Sequence, residues 1–338
     1  MLEYIMEQMN HVVNIDSPTG YHFEVQNYVM DELKEMGYEP YSLRKGGVIV
    51  NLGGEGNPTM LLSHMDTLGC FVHYIKADGR LAISNLTLNP NNIETEQVRV
   101  ITREGNVYEG TIQLVNASVH VNDDINQARK FDNLEVVLDE DVTSVEDVTA
   151  LGIQAGDVIA VEPRFTVTSK GYIKSRYLDD KASVAILLGY AKYLKEDQHS
   201  LKRNIWLNFT VHEEIGYGAA TGIPDCIEDV LSVDMGCVGE HLACTEKMVS
   251  ICAKDSAGAY HREMVNELIA AAKKAKVDYA VDVYPHYSSD AQVAVKSGYD
   301  VRHGLIGPGV YASHGYERSH KEGIANTFEL IKSFCNRD

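Results

Sequence analysis

Basic charge is scarce in this chain. Its 30 Lys and Arg face 49 Asp and Glu over 338 residues, a formal net charge of −19. Such a surface repels nucleic acid and anionic lipid, which both need basic patches, so neither is expected as a partner. An acidic surface does attract cations, whether metal ions or peptide amines. Long apolar runs are also missing: no stretch reaches the roughly 18 residues that mark a membrane-spanning helix. The opening Met1-Leu2-Glu3-Tyr4-Ile5-Met6-Glu7 is acidic and mixed, unlike the basic start and apolar block of a secretion signal. Cysteine is sparse, and none of Cys70, Cys226, Cys237, Cys244, Cys252 and Cys335 forms a C-x-x-C pair. That excludes a zinc ribbon or a redox motif, and scattered thiols fit a cytoplasmic location. The single tryptophan, Trp206, lies in an apolar run, so no aromatic platform for a sugar is evident. Internal repeats and low-complexity tracts are absent.

The length suggests two domains, or one large domain carrying an insertion. Leu2, Ile5, Met6 and Met9 recur at helical spacing, and Phe23 to Leu33 mark a second helix closed by Gly37. Val48–Leu52 and Met60–Ser63 are strand-like, the latter ending at His64. From about residue 67 to 167 the pattern changes to short Thr- and Val-rich runs between close turns, as in a small β-barrel or sandwich. Beyond Asp179 helices and strands alternate again, with apolar runs at Ile205–Val211 and Val230–Val233 and a final helix around Ile324–Ile331. The fold class is therefore α/β, a mixed sheet flanked by helices, made of residues 1–66 and 168–338, with a β-rich domain of residues 67–167 inserted into it.

Polar clusters stand where these elements end. They are His64-Met65-Asp66, Asp179-Asp180-Lys181, His212-Glu213-Glu214, Asp234, and His314 within Ser313-His314-Gly315-Tyr316-Glu317. Open α/β sheets gather ligands at the carboxyl ends of their strands. Two histidines and three carboxylates suit Zn²⁺, and Co²⁺ or Mn²⁺ less exclusively. Five ligands exceed the three that one catalytic metal takes from protein, but with one bridging carboxylate they serve two ions about 3.5–4 Å apart. Each cluster also has a plain reading. His-x-Asp is usually a surface turn, Asp-Asp-Lys a helix cap with its neighbours, and Glu-Glu a solvated pair. Yet Glu213-Glu214 follows a buried run and precedes Gly216 and Gly218, and Asp234 follows Leu231-Ser232-Val233. As neighbours on an extended strand, Glu213 and Glu214 are expected to face opposite ways.

The order His-x-Asp, Asp-Asp-Lys, Glu-Glu, Asp, His resembles the dinuclear metallopeptidases of the tetrahedral-aminopeptidase family, whose members carry the names glutamyl aminopeptidase or endoglucanase. The resemblance covers essentially the whole chain, including Ser17-Pro18-Thr19-Gly20, Leu151-Gly152-Ile153, Gly156-Asp157 and Ser289-Asp290-Ala291. It implies a zinc-peptidase-like fold whose insert serves oligomerisation, in a homo-oligomer built from dimers, up to a dodecamer. It also implies removal of N-terminal residues from short peptides with two divalent ions per subunit. By the same resemblance His64 is a metal ligand, and Asp179 bridges from a cis peptide bond with Asp180. Glu214 and Asp234 each serve one metal, and His314 completes the second site. Glu213 matches the general base, and Asp66 the carboxylate that orients His64.

This sequence departs from the pattern twice. Lys181 stands where many members have Arg, and Gly315-Tyr316 where many have Ser-Pro. His320 therefore rivals His314, although Glu317 sits at the family's spacing from His314. His73, His120, His212, His261, His286 and His303 lack motif support, though His120 in the insert is a candidate to reach a neighbouring subunit. Alternative functions are hydrolysis of another small amide, a glycosidase, and a non-catalytic homologue. A glycosidase needs two carboxylates flanking a sugar bond, which adjacent strand residues supply poorly. A non-catalytic homologue sits badly with a complete ligand set and base.

Overall fold

A computed structural model describes residues 1–196 and 200–336. Two compact units make up the chain, one of Met1–Thr67 with Arg164–Asp338 and one of Leu68–Pro163.

The first unit is built on a 12-stranded mixed sheet. Four parallel strands form its centre, in the order Asn204–Thr210, Pro58–His64, Asp229–Val233, Arg302–Tyr311. Their side chains are mostly buried on both faces, which is why they read as unbroken apolar runs rather than alternating ones. Thr210 lies opposite His64, and Val233 opposite Ile306, so the carboxyl ends of the four strands share one edge. Antiparallel strands continue the sheet: Val48–Gly53 on one side, and Glu317–His320, Tyr172–Ser175 and Thr166–Val167 on the other.

Helices cover the sheet. Leu2–Val13 buries Ile5, Met9, Val12 and Val13, close to the spacing expected for one face. Phe23–Glu35 stops before Gly37, whose φ of +79° a side chain would resist. Leu178–Glu196 is buried without a break from Leu178 to Ala191, as a central helix should be. A Cβ on its Gly189 would lie 2.4 Å from Ile5 Cγ1, so this glycine permits the close approach of the N-terminal helix. Lys181 is buried in the same helix and donates from Nζ to the carbonyls of Val12 (2.8 Å) and Ile15 (3.1 Å), so it is no solvated cap neighbour.

The amino ends of the central strands are tied by charge. Asp229 is fully buried and accepts hydrogen bonds from Arg203 (2.8 Å) and from Arg302 at both oxygens (2.7 and 2.6 Å). Glu267 takes the other arms of both guanidinium groups, at 2.7 and 2.8 Å. Bidentate pairs of this kind are strong and directional.

The second unit is a closed barrel of six antiparallel strands. Their order is Gly69–Ile75, Leu81–Leu86, Leu134–Leu138, Val107–Leu114, Gln97–Ile101, Val158–Val161. Val72, Leu81, Ile83, Val98, Val100, Ile112, Val136 and Ile159 are buried in it. Its one α-helix, Val145–Ala150, is capped by Ser144 Oγ accepting from Asp147 N at 3.1 Å. The six cysteines are free thiols. Among the described residues no helix is long and apolar enough to cross a membrane.

Candidate active site

His64 ends its strand with its side chain only 2% exposed. Its Nδ1 lies 2.9 Å from the backbone oxygen of Asp66. A carbonyl only accepts, so Nδ1 carries a proton there and Nε2 is the ring nitrogen that faces the site. Nε2 is 3.1 Å from Asp179 Oδ1 and 3.9 Å from Glu213 Oε2. The close orienting contact thus comes from the Asp66 backbone, while the nearest oxygen of its carboxylate is 3.7 Å from Nδ1. That carboxylate accepts from the Thr19 hydroxyl (2.6 Å) and from Glu213 N (3.2 Å). It links the Ser17-Pro18-Thr19-Gly20 segment to the paired glutamates.

Asp179 stands at the start of the central helix with non-helical backbone angles, and its bond to Asp180 is cis. Its two oxygens divide between the histidines: Oδ1 faces His64, and Oδ2 is 3.4 Å from His314 Nε2. His314 lies in the turn after Arg302–Tyr311, at φ +61°, with Nε2 also 3.5 Å from Glu214 Oε2. Asp234 directly follows its strand and accepts from Met235 N. Single ligand atoms of His64, Asp179 and Glu214 come within 4.8 Å of one another, and so do those of His64, Asp180 and Asp234. Asp180, which the sequence left as a cap neighbour, is fully buried and accepts from His64 N at 3.3 Å.

One expectation changes, and the rival to His314 drops out. Glu213 and Glu214 do not sit on an extended strand: the strand ends at Thr210, and Glu213–Ile215 forms a 3₁₀ turn between left-handed His212 (φ 69°) and Gly216 (φ 78°). Alternation of faces therefore does not apply, and both carboxylates enter one cluster. His320 is also elsewhere. Its Nε2 donates to Lys170 O (2.8 Å) and its Nδ1 accepts from Glu322 N (3.0 Å), capping the helix Lys321–Cys335. Among the described residues no other histidine joins the ligand groups: His212 packs edge-on to His22, His286 borders the cavity, and His120 is exposed in the second unit.

Burial dominates the electrostatics of the cluster. Burial, reinforced by Asp179, pushes Asp234 up to about 7, and burial holds Asp180, Glu213 and Glu214 well above the usual carboxylate range. Burial and Asp179 lift Glu317 to about 8. Burial would raise Asp179 too, but hydrogen bonds from His314 and His64 outweigh it and hold this carboxyl low. The bond to Asp179 lifts His314 to about 9. In His64 burial is overcome by Asp179 and by the nearby Glu213 and Asp234, and its proton is held well above the ordinary value. Crowded buried carboxylates need cations. Buried Asp180 Oδ1 and Glu214 Oε1 have no hydrogen-bond partner among the described residues. Oxygen donors with two imidazole nitrogens are the ligand set of borderline divalent ions, so the residues fit a metal centre.

A cavity of about 510 Å³ opens onto Asp179, Glu213, Glu214, Asp234, Tyr287 and His314. A larger one, about 640 Å³, lies among Tyr4, Glu7, Glu32 and Lys192 and holds none of these groups, so the smaller one is the candidate site.

A histidine–carboxylate cluster at the carboxyl edge of a helix-covered mixed sheet defines a metal-dependent hydrolase. Residues 46–330 match the model of the M42 glutamyl aminopeptidase family, and the chain belongs to that family. It is a metal-dependent aminopeptidase, a hydrolase of peptide bonds. It is 44% identical over 330 residues to YhfE of Bacillus subtilis (strain 168), a protein itself named only as a candidate aminopeptidase; the match spans 96% of this chain and 95% of YhfE. Among solved structures it resembles aminopeptidase APDkam598 of the archaeon Desulfurococcus kamchatkensis, with TM-score 0.88, 22% identity, and 98% and 94% of the two chains covered. It also resembles the Pyrococcus horikoshii TET1 peptidase, with TM-score 0.87, 20% identity, and 97% and 98% covered. At these identities the two structures establish the fold.

Proposed function

We propose that the chain is a two-metal aminopeptidase that releases the first residue of short, unblocked peptides. One observation carries this reading: the two oxygens of Asp179 turn to two different histidines, 3.1 Å from His64 and 3.4 Å from His314. A carboxylate so placed would bridge two ions. His64, Asp179 and Asp234 would hold one; Asp179, Glu214 and His314 would hold the other. Zn²⁺ suits this donor set best, with Co²⁺ or Mn²⁺ as alternatives. Such ions, when bound, polarise a carbonyl oxygen and make water more acidic.

The chain's own groups do the rest. Glu213 borders the cavity and its carboxylate makes no short bond to His64, at 3.9 Å. It is the base that takes the proton of the attacking water and returns it to the departing amine, assistance worth roughly 10²–10⁴-fold. Asp66 fixes the turn that carries Glu213 through the backbone bond at 3.2 Å. The acidic lining favours an incoming amine over a carboxylate.

The domain of about residues 67–167 serves self-association in a dimer-based assembly, up to a dodecamer. Support comes from the TET1 peptidase of Pyrococcus horikoshii, which can assemble into a tetrahedron or a large octahedral shell. The free cysteines are compatible with a cytoplasmic location, and the net charge of −19 with the absence of nucleic-acid and membrane partners. The test strips the protein with a chelator, restores Zn²⁺ or Co²⁺, and compares free with N-acetylated aminoacyl fluorogenic substrates. Activity should vanish and return with metal, and the acetylated substrates should be poor. Chelator-resistant activity, or efficient cleavage of blocked substrates, would overturn the reading; light scattering showing only monomer would overturn the assembly.

A further inference from the structure

Glu317 is buried, 2% exposed, and opens the strand Glu317–His320. That strand pairs with Tyr172–Ser175, placing Glu317 opposite Ser175, four residues before Asp179. On its other side Arg318 pairs with Tyr311, where the turn carrying His314 begins. Glu317 therefore lies between the two segments that bring Asp179 and His314 together. Each of its oxygens takes one of their backbone groups: Oε1 accepts from His314 N at 3.0 Å, and Oε2 from Asp179 N at 3.1 Å.

We infer that Glu317 is a positioning residue which sets the separation of Asp179 and His314 before any ion binds. The inference rests on the proposed ligand roles of these two residues. The need for such a residue is physical. His314 sits in the left-handed region at φ +61°, in a turn, with its side chain 48% exposed. A histidine in that conformation persists when its surroundings hold it. The bond to Glu317 does so from the buried side, and its other arm joins the turn to the start of the central helix. Groups supporting metal ligands in this way typically matter about 10–100-fold for metal affinity.

The test measures metal binding by calorimetry and the absorption of the Co²⁺-loaded protein, so it does not depend on activity. In Glu317→Gln one oxygen survives, but the amide NH₂ meets a second N–H, and one of the two bonds is lost. Glu317→Asp keeps both oxygens but falls a methylene short of spanning both amides. Both variants should bind at least one ion about 10–100-fold less tightly, with the Co²⁺ spectrum altered. Equal affinities and spectra in folded variants would overturn the inference. Amide hydrogen exchange on the unaltered, metal-free protein gives a check that needs no variant to fold. The Asp179 and His314 amides should both be protected, and free exchange at His314 would overturn the preset geometry. His314→Ala separates the two readings: if it leaves metal binding unchanged, the ligand assignment fails, while amide protection still decides what Glu317 does.

Discussion

Replacing Glu213 by Gln isolates the proton-transfer step from the metal site. The turn carrying Glu213 is held by main-chain bonds: Asp66 Oδ1 accepts from Glu213 N (3.2 Å), Glu213 O from Gly216 N (2.7 Å), and His212 O from Tyr217 N (2.9 Å). None involves the Glu213 carboxylate, and Gln has the same shape, so the turn should stand. What is lost is an acceptor for the proton of water. A contribution of roughly 10²–10⁴-fold corresponds to about 2.7–5.4 kcal/mol of barrier, at 1.36 kcal/mol per factor of ten. Nearly all of it should appear in kcat, with KM close to the unaltered value if substrate binding is at equilibrium. The assay is steady-state cleavage of a free aminoacyl fluorogenic substrate at saturating metal, with metal content measured on the same samples. Glu214→Gln is the comparison. Glu214 Oε2 lies 3.5 Å from His314 Nε2, and its loss should lower metal content first. The reasoning fails if Glu213→Gln keeps a kcat near that of the unaltered enzyme, or if it loses an ion.

Three further outcomes follow from other parts of the fold. Asp229→Ala should leave Arg203 and Arg302 facing each other without their buried partner, lowering stability by about 3–5 kcal/mol in urea denaturation; a change within error would show that Glu267 alone suffices. Gly218→Ala would put a Cβ 2.1 Å from Asp290 Oδ1 and disturb the bond that oxygen accepts from Ala219 N (2.8 Å), beside the catalytic turn. Its kcat/KM should fall, by about 10²-fold if the turn moves by 1 Å, and unaltered kinetics would show that the turn is insulated. Burial holds Lys181 down to about 7 from an ordinary 10.5, so between these values the unfolded chain keeps the proton that the folded one releases. Stability of the metal-free protein, relative to Lys181→Met, should therefore rise with pH across that window in urea titrations, and a flat difference would mean that Lys181 stays charged.

How far the site can be read from sequence depends on which contacts are local. His64 and Asp234 are legible because each ends a run of apolar residues, and a polar side chain there faces the carboxyl edge of a sheet whatever the rest of the fold does. The helix Leu2–Val13 is legible for a similar reason, since its period belongs to its own sequence. Asp-Asp-Lys misleads because its local reading is sound: three charged residues before a helix are an ordinary cap. Only packing from elsewhere buries them, with Asp180 beneath the His64 backbone and Lys181 under the carbonyls of Val12 and Ile15. The glutamate pair fails differently. Alternation assumes an extended chain, whereas His212 turns left-handed and the chain coils at once into Glu213–Ile215. Gly218, which in the sequence only follows the glutamate pair, leaves room for Asp290, which is 72 residues away. Glu317 belongs with these. Its motif spacing marks it, but nothing in the spacing says that its second oxygen reaches Asp179, 138 residues earlier. The residues that bear the chemistry thus show in the sequence through what they terminate, whereas those that aim them show only once distant strands have been brought into register.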